Sequence, residues 1–379
     1  MKQATNTHFI LTGATGILGS HILYELLYRI HKNDYNGSVV LLLRSRKDKT
    51  AIERYDELFE EALVPDYFKA VDRSRIDDCV VLIDTDITDV QQASLSKLRK
   101  DIRYQLIHCA ASVNLGNNEA TFDEIKRNNY LGTLNLIHTL LPYLFKVSFI
   151  STAFSSGHKS GLIDGGLSDD SPKSFRNPYE QFKAQTELEV VQTCKGYGLE
   201  WQIFRPSIIC GRLVDHPHHV IPKFLVFYLF GAFFYRVKEG YGDQTIRITM
   251  NQASGLNLVP VDYAAKAIVR ALDTDIQEMN IANRTCLPNN YAVPHMLQKV
   301  GWKNYEFTDH IPEDQNALEK LYYRTVGAQL HEYLVTPDHE FNIGNLTDLM
   351  KDMKEPDVFE HYLQLCDYAV DKEFNHLLS

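Results

Sequence analysis

Six short apolar runs alternate along the first half of the chain with segments that have the period of an amphipathic helix. They cover residues 9–12, 38–43, 80–83, 105–109, 147–150 and 201–204. Continuous aliphatic and β-branched runs of this length are typical of strands buried on both faces of a parallel sheet. Because crossovers between parallel strands are right-handed, helices are expected on both sides. The pattern therefore predicts a doubly wound α/β fold.

The segment after the first run has the clearest helical period. Ile22, Leu26 and Ile30 recur at i, i+4 and i+8, with Leu23 and Leu27 beside them. We expect this apolar stripe to pack on the sheet.

The alternation stops after residue 205. Residues 207–255 are rich in His, Pro and aromatic residues, and a helical segment follows at 262–272. We interpret 207–255 as an insertion. The predicted first domain comprises residues 1–206, to which the chain returns at about 256–285, and a smaller, mostly helical C-terminal lobe comprises 207–255 and 286–379.

Composition and charge narrow the possible functions. The chain has 379 residues, 44% of them hydrophobic, and a formal net charge of −10, which would repel a nucleic-acid backbone. Six cysteines without a C-x-x-C pair indicate reduced thiols in a cytoplasmic protein. Residues 1–7 are polar and leave no room for a signal peptide. The longest apolar stretch, 224–235, is too short for a transmembrane segment, which needs about 20 residues.

A glycine-rich loop follows the first run directly. Gly13, Gly16 and Gly19 form a G-x-x-G-x-x-G pattern that also contains Thr15 and Ile17. Glycines permit a tight turn and let backbone N–H groups approach a pyrophosphate, while the helix N-terminus supplies partial positive charge. With a strand before it and a helix after it, the loop predicts a Rossmann-type dinucleotide site. A glycine turn without a ligand is the alternative.

The end of the second run bears on the choice of cofactor. An NAD-specific site would carry an acidic residue there, whereas this chain has Arg44 and Arg46, which could clamp a 2′-phosphate. We therefore predict NADPH in preference to NADH, although Asp48 follows and a solvated basic loop would have the same sequence. Asp86, after the third run, could meet the adenine amino group or could simply end a strand in a turn.

A phenol and an ammonium group lie at i and i+4 of a predicted helix, at Tyr179 and Lys183. Reduction of a carbonyl needs a proton donor beside the carbonyl oxygen, and a nearby cation lowers the pKa of a phenol. Thr152, just after the fifth run, could donate a hydrogen bond to the same oxygen. These three residues are the predicted catalytic groups.

The order and spacing of these motifs resemble the extended short-chain dehydrogenase/reductase superfamily over about residues 8–285. In that family's roles, Thr152 polarises the substrate carbonyl, Tyr179 is the general acid/base and Lys183 binds the nicotinamide ribose. Asn129 would order a water in the proton relay. Family members commonly have Ser where this chain has Thr152, which keeps the hydroxyl. The motifs that carry the resemblance are the glycine loop, Asp86-Ile87, His108–Ser112, Asn129–Asn135, Ser151–Ala153, Tyr179–Lys183 and Arg205–Ser207.

The resemblance adds Ile87, Ala110, Ala111 and Pro206 to the predicted cofactor contacts. Several of these positions have plainer explanations. Asn129 could bridge a helix and a strand, the two alanines could be small only because the backbone passes close to the cofactor, and Arg205 could be a structural ion-pair partner.

Two further segments resemble the thioester reductase and fatty acyl reductase branch: Val39–Arg44 and Leu258–Ala267. That resemblance implies an NADPH-dependent reduction of a coenzyme A-bound or carrier protein-bound acyl thioester to an aldehyde, with a second reduction to the alcohol left open. No adenylation or carrier segment is recognised, so the thioester would be made elsewhere.

Two other functions remain open at this point. The same catalytic residues would serve a dehydrogenase or epimerase acting on a sugar nucleotide, steroid or other ketone. A dinucleotide-sensing protein without catalytic activity is more remote, because Tyr179 and Lys183 are both present. The aromatic segment 224–235 suits either an acyl channel or a core helix. His216, His218 and His219 are interpreted as a loop, and no metal site is predicted.

Overall fold

A computed structural model describes residues 6–164, 174–337 and 339–378 of the chain. In chain order, the strands of these residues are β1 (His8–Thr12), β2 (Val39–Leu42), β3 (Val80–Ile83), β4 (Tyr104–His108), β5 (Leu144–Ile150), β6 (Gly161–Ile163), β7 (Glu200–Pro206), β8 (Ile208–Cys210), β9 (Ile246–Thr249), β10 (Gly255–Leu256), β11 (Leu258–Pro260), β12 (Glu278–Ile281), β13 (Leu287–Pro288), β14 (Tyr305–Thr308) and β15 (His339–Phe341).

The helices alternate with these strands in the first half of the chain and dominate the C-terminal part. They are α1 (Ile17–His31), α2 (Ala51–Asp56), α3 (Asp66–Lys69), α4 (Arg73–Asp77), α5 (Glu119–Ile125), α6 (Gly132–Leu140), α7 (Pro178–Tyr197), α8 (Phe227–Tyr241), α9 (Val261–Ala271), α10 (Asn289–Lys299), α11 (Ala317–Arg324), α12 (Val326–Val335), α13 (Gly344–Leu349) and α14 (Val358–Asp371). A π-helical turn, Lys126–Leu131, joins α5 to α6.

Seven parallel strands form the main sheet in the order β12-β7-β5-β4-β1-β2-β3. All six apolar runs lie in this sheet, and β12 adds a seventh strand. Thr12, the last residue of β1, lies opposite Leu42 on one side and His108 on the other. The carboxyl ends of the central strands therefore meet at one edge, as the doubly wound fold requires. The predicted fold class is confirmed.

The first helix is buried more completely than its stripe predicts. Ile22, Leu23, Leu26 and Leu27 are almost inaccessible and belong to the core cluster that includes the sheet. The helix also packs on α9, where Lys266 Nζ donates to the Glu25 carboxylate at 2.6 Å. Because α9 comes from the returning part of the chain, the periodicity of α1 alone could not predict that second contact.

A second apolar cluster fills the space between α8, α10, α11, α12 and α14. Its largest buried side chains include Phe224, Tyr228, Phe234 and Tyr322. The part of the chain after residue 285 is mostly helical, as predicted, with short strands that pair outside the main sheet. Among the described residues, none of the helices has the length and apolar character needed to span a bilayer.

The connection from β8 to α8 is tied to the first turn of α9. The buried carboxylate of Asp262 accepts hydrogen bonds from the backbone N–H groups of Leu213, Val214 and Asp215 at 3.2, 2.7 and 2.7 Å. These bonds replace the water that a buried carboxylate loses, and they fix the start of a loop that reaches the edge of the main sheet.

Replacing Gly19 by Ala is expected to destabilise the fold by about 1–3 kcal/mol. A Cβ at this position would lie 2.1 Å from the carbonyl oxygen of Gly13, so α1 or the glycine loop would have to move. The control is Gly196→Ala in α7, where a Cβ meets nothing within 4 Å. Urea denaturation should show a loss of unfolding free energy for the first variant and none for the second. Equal stability of the two variants would contradict the packing described.

Candidate active site

The glycine loop brings β1, α1 and the end of β4 into close contact. Gly13 has a φ of 73°, and a Cβ there would lie 2.6 Å from the backbone nitrogen of Ala110. The N–H of Gly16 donates to the Gly13 carbonyl at 2.8 Å, and no side chain caps the N-terminus of α1 at Gly16. The loop thus presents a narrow backbone cradle at an uncapped helix N-terminus, which suits a pyrophosphate.

A chain of buried hydrogen bonds runs from this loop through His108. Burial lowers the pKa of His108 to about 3, so its imidazole is neutral. Its Nδ1 and Nε2 lie 2.8 Å from the hydroxyls of Thr12 and Thr133 respectively. Thr133 donates to the Asn129 carbonyl at 2.7 Å, so it accepts from Nε2–H, and Thr12 donates to Nδ1. Thr12 in turn accepts from the N–H of Ala110 at 3.1 Å, which fixes the end of β4.

Asn129 is buried in the π-helical turn. Its amide pairs with the backbone of Ser112, accepting from N–H at 2.8 Å and donating to the carbonyl at 2.9 Å. The amide therefore joins the π-helical turn to the loop that follows β4, a structural bridge of the kind considered as the plainer explanation. The role of Asn129 in ordering a water stays a prediction.

Tyr179 and Lys183 lie in the first two turns of α7, whose N-terminus is capped by Asn177. The Lys183 ammonium donates to the Ile150 carbonyl at 2.7 Å and lies 6.0 Å from the centre of the Tyr179 ring. Burial lowers the pKa of Lys183 to about 8 and raises the pKa of the Tyr179 phenol above its usual value of 10. Near neutral pH the lysine is charged and the tyrosine is protonated. The phenol's pKa is therefore not lowered toward neutral pH as expected, because burial, followed by the nearby Cys109 and Glu180, raises it.

Thr152 follows β5 and caps a short 3-10 turn. Its buried hydroxyl accepts from the Phe154 N–H at 3.3 Å, so the hydroxyl proton remains available to a ligand. The hydroxyls of Ser151 and Ser155, on either side of it, both donate to the carboxylate of Glu187. This carboxylate forms a buried ion pair with Arg205 at 2.6 Å.

Arg205 is the structural ion-pair partner that we considered from the sequence. Its guanidinium also lies 2.8 Å from Glu278, so Arg205 joins α7 to β12 rather than lining the cavity. Because Glu187 lies one turn after Lys183 on α7, its bonds to Ser151 and Ser155 hold Thr152 at a fixed distance from that helix.

One cavity of about 300 Å³ collects the reactive groups. Eight of the predicted site residues line it: Gly16, Ile17, Gly19, Ala111, Thr152, Tyr179, Lys183 and Pro206. The other predicted residues do not line it. Four of them belong to the glycine loop or to the contacts made just after β4: Gly13, Thr15, Ala110 and Asn129. The remaining four follow β2 or β3: Arg44, Arg46, Asp86 and Ile87.

Arg44 and Asp86 are brought together because β2 and β3 are neighbours. The Arg44 guanidinium lies 2.6 Å from the Asp86 carboxylate, and both side chains are well exposed. Asp86 also accepts from the N–H and hydroxyl of Thr88, each at 2.9 Å. The two predicted adenosine contacts thus form one exposed pair at the sheet edge.

Two cations at this edge were not predicted from the sequence. Arg54, in α2, is buried and donates to the Thr15 hydroxyl at 2.7 Å and to the Arg44 carbonyl at 2.6 Å. Lys223, from the loop before α8, lines the cavity, and burial together with the charges of Arg46 and Arg54 lowers its pKa to about 8. Several positive charges near an uncapped helix N-terminus form a site for an anionic group. The sequence does not reveal either cation. Arg54 lies in a short polar helix that would be expected to be exposed, and Lys223 lies in a loop far away in the chain.

The three histidines of the 207–255 segment lie close together. The rings of His216 and His218 stack with their centres 3.9 Å apart, and His219 lies 3.5 Å from His361. In the part of the chain that the structure describes, no group of three His, Cys, Asp or Glu side chains is placed to hold a metal ion.

A family model described as "Male sterility protein", an NAD-binding family, matches residues 11–268. A carboxylic acid reductase of Segniliparus rugosus is 24% identical over 283 residues, which are 68% of this chain and 22% of that protein. A UDP-glucose 4-epimerase of Caenorhabditis elegans is 26% identical over 201 residues, 52% of each chain. The chain thus spans about half or less of the length of these curated relatives.

Solved structures show the same fold at low sequence identity. The terminal R domain of the myxalamid PKS-NRPS biosynthetic pathway has a TM-score of 0.70 and 17% identity, with coverage of 100% of this chain and 94% of that chain. A thiolation-reductase di-domain of an archaeal non-ribosomal peptide synthetase has a TM-score of 0.67 and 20% identity, with coverage of 98% and 92%. A UDP-glucuronic acid 4-epimerase of Bacillus cereus with NAD has a TM-score of 0.62 and 17% identity, with coverage of 97% and 98%.

Removing the cations at the sheet edge should weaken NADPH binding more than NADH binding. We expect Arg46→Ala and Arg54→Ala each to raise the Kd for NADPH about tenfold or more, because each removes a positive charge from the predicted site of the 2′-phosphate. Arg75→Ala, which removes an exposed arginine in α4, is the matched control. Titration of protein fluorescence with both nucleotides measures the effect. Equal weakening of NADPH and NADH binding would show that these residues do not distinguish the 2′-phosphate.

Proposed function

The chain belongs to the male sterility protein family, within the extended short-chain dehydrogenases/reductases, and on this premise we propose that it reduces acyl thioesters with NADPH. The thioester is bound to coenzyme A or to a carrier protein, and the first product is an aldehyde. The observation that carries the proposal is the chemical character of the cavity beside Thr152, Tyr179 and Lys183.

This cavity has two unlike ends. Lys223 and the α1 N-terminus lie on the side of the glycine loop, where a dinucleotide phosphate would be held. The wall also includes the apolar side chains of Leu115, Phe154 and Ile208, which belong to the apolar cluster of the C-terminal lobe, and of Val226, which packs against that cluster. A sugar nucleotide would need polar partners there for its hydroxyl and phosphate groups, whereas an acyl chain needs apolar surface. The apolar end supports an acyl substrate.

The residues present fit a dinucleotide. The cradle at Gly13 leaves no room for a side chain, and the α1 N-terminus is uncapped. When bound, the nicotinamide ring would supply the hydride. Gly16, Ile17, Ala111, Lys183 and Pro206 would hold the cofactor along the cavity, with Arg46 and Arg54 toward the 2′-phosphate.

The catalytic residues would manage the charge and the proton of the carbonyl oxygen. As hydride adds to the thioester carbon, the hydroxyls of Thr152 and Tyr179 stabilise the negative charge that develops on the oxygen. Tyr179 transfers its proton to that oxygen, which yields a hemithioacetal. The C–S bond then breaks, the hydroxyl proton returns to the Tyr179 phenolate, and the thiolate takes a proton from water. The products are an aldehyde and a free thiol, and a second reduction would give an alcohol.

Both parts of our division of the chain contribute to each end of the cavity, since Lys223 lies at the polar end and Leu115 and Phe154 lie at the apolar end. We assign most cofactor contacts to residues 1–206 with 256–285, and the remainder of the acyl site to residues 207–255 and 286–379. Lys223 and Val226, both from the 207–255 segment, line the cavity beside residues of α1 and α7.

A second candidate function is favoured by the epimerase relatives. The Caenorhabditis elegans protein is similar over 201 residues, and the same three residues could oxidise a sugar hydroxyl or reduce a sugar ketone. The apolar end of the cavity argues against it.

The direct test is a mixture of the purified protein with NADPH, or separately NADH, and a medium-chain acyl-coenzyme A. Loss of nicotinamide absorbance with aldehyde or alcohol in the extract would establish the thioester reductase. Activity on UDP-sugars or free ketones, with none on coenzyme A or carrier-protein thioesters, would establish the second candidate and overturn the first.

Tyr179→Phe should lower turnover about 100-fold or more and leave the Kd for NADPH nearly unchanged, because only the proton donor is removed. Single-turnover kinetics and a binding titration measure the two effects. Tyr197→Phe, which removes an exposed phenolic hydroxyl at the other end of α7, is the matched control. Full turnover by the Tyr179 variant would exclude Tyr179 from the mechanism.

The pH dependence of kcat/KM should follow the charge of Lys183. Its pKa of about 8 lies below its usual value, so the ammonium is charged below that pH and neutral above it. We expect kcat/KM to be constant near neutral pH and to fall as the pH rises through about 8. In Lys183→Arg the fall should move to higher pH, because guanidinium stays charged. A wild-type profile with no fall in this range would contradict the role of the ammonium.

A further inference from the structure

A second, smaller chamber lies inside the C-terminal lobe. It has a volume of about 40 Å³, and its walls come mainly from α8, α10 and α12. No charged side chain lines it. Its two phenol groups are already paired, since Tyr362 donates to the backbone carbonyl of Ala292 at 2.9 Å and Tyr333 accepts from the Asn177 amide at 2.8 Å. The chamber therefore offers only apolar surface to an occupant.

The chamber adjoins the active-site cavity. Ile208, Val226 and Tyr333 line both spaces and so form the partition between them. Tyr333 is held in place by Asn177, the residue that caps the helix carrying Tyr179, and its ring packs edge-on against Phe154 at 5.4 Å. The partition is thus rigidly connected to the catalytic tyrosine.

Val226 is the least regular part of this partition. Its φ is 54° and its ψ is −112°, a backbone conformation that is costly for a β-branched residue. It lies at the start of α8, where the loop that carries Lys223 ends. Such strain persists where the surrounding packing requires it, and here it places the Val226 side chain between the two spaces.

We propose that this chamber is the subsite for the far end of the acyl chain, and that its size sets the length of chain that the enzyme prefers. The inference rests on the proposed function. At roughly 10–15 Å³ for each small group, the chamber holds about three or four carbon atoms beyond the partition. The substrate class is then a short to medium, uncharged aliphatic acyl thioester.

Met296 closes the chamber on the side of α8. A Cβ at Gly231 of α8 would lie 2.5 Å from Met296 Sδ, so the methionine side chain fills the space that this glycine leaves. Met296→Ala should therefore lengthen the chamber. Ala292, also in its wall and almost fully buried, offers the opposite change, since Ala292→Leu should fill it.

The test is a series of saturated acyl-pantetheine thioesters, because the pantetheine arm is common to coenzyme A and carrier proteins. For wild type we expect kcat/KM to rise about fourfold for each added methylene and then to fall once the chamber is full. An ω-carboxylate at the optimal length should lower kcat/KM about 100-fold or more, since the chamber has no partner for a charge. Met296→Ala should move the optimum to longer chains and Ala292→Leu to shorter ones.

Met250→Ala is the matched control, because Met250 is buried in the same apolar cluster but lines neither space. It should leave the preferred length unchanged. If Ala292→Leu fails to fold, Met296→Ala and the wild-type series still decide the question. Reduction of thioesters with an optimum that Met296→Ala does not move would overturn the chamber assignment alone. No reduction of any thioester in the series would overturn the proposed function, and the chamber assignment with it.

Discussion

The close approach of β4 to the glycine loop is the constraint on which the rest of the site depends. The backbone of Ala110 lies so near Gly13 that no side chain fits between them, and Thr12 accepts hydrogen bonds from the same backbone. Through the neutral ring of His108 this contact continues to Thr133 and to the π-helical turn. The cofactor cradle and the helix that carries Asn129 are therefore positioned by one continuous set of buried hydrogen bonds, whose loss would leave polar groups unpaired.

Burial moves the pKa values of the two titratable residues proposed for catalysis, Lys183 and Tyr179, in opposite directions. It favours the neutral form of each, which weakens the hold of Lys183 on its proton and strengthens that of Tyr179. Around neutral pH the result is a charged lysine beside a protonated phenol, the state that proton donation to a carbonyl oxygen requires. Glu187 stabilises the arrangement from behind, because its carboxylate binds the serines on either side of Thr152 and the guanidinium of Arg205.

The cavity joins parts of the chain that are far apart in sequence. Its polar end uses the glycine loop and Lys223, and its apolar end uses Val226, Ile208 and Tyr333. The positive charge at the polar end of the cavity suits a phosphate-bearing cofactor, and the uncharged side chains at the other end suit an apolar group. The proposed thioester reductase and the alternative sugar-nucleotide enzyme would use the same three residues, Thr152, Tyr179 and Lys183. The choice between them therefore rests on the apolar lining of the cavity, which is the basis of our proposal of an acyl substrate.

The sequence by itself determined the sheet and the glycine loop and pointed to Thr152, Tyr179 and Lys183 as candidate catalytic side chains, because strands, the glycine turn and the shared helix face of Tyr179 and Lys183 depend on local spacing. Apolar runs make strands, Gly13 to Gly19 make a turn, and Tyr179 and Lys183 share one helix face. Arg54, Lys223 and Tyr333 could not be predicted, since their neighbours lie tens to hundreds of residues away and only tertiary packing brings them to the site. The packing also decided protonation, because the depth of burial that moves the pKa values of His108, Tyr179 and Lys183 is a property of the folded core and not of any local pattern.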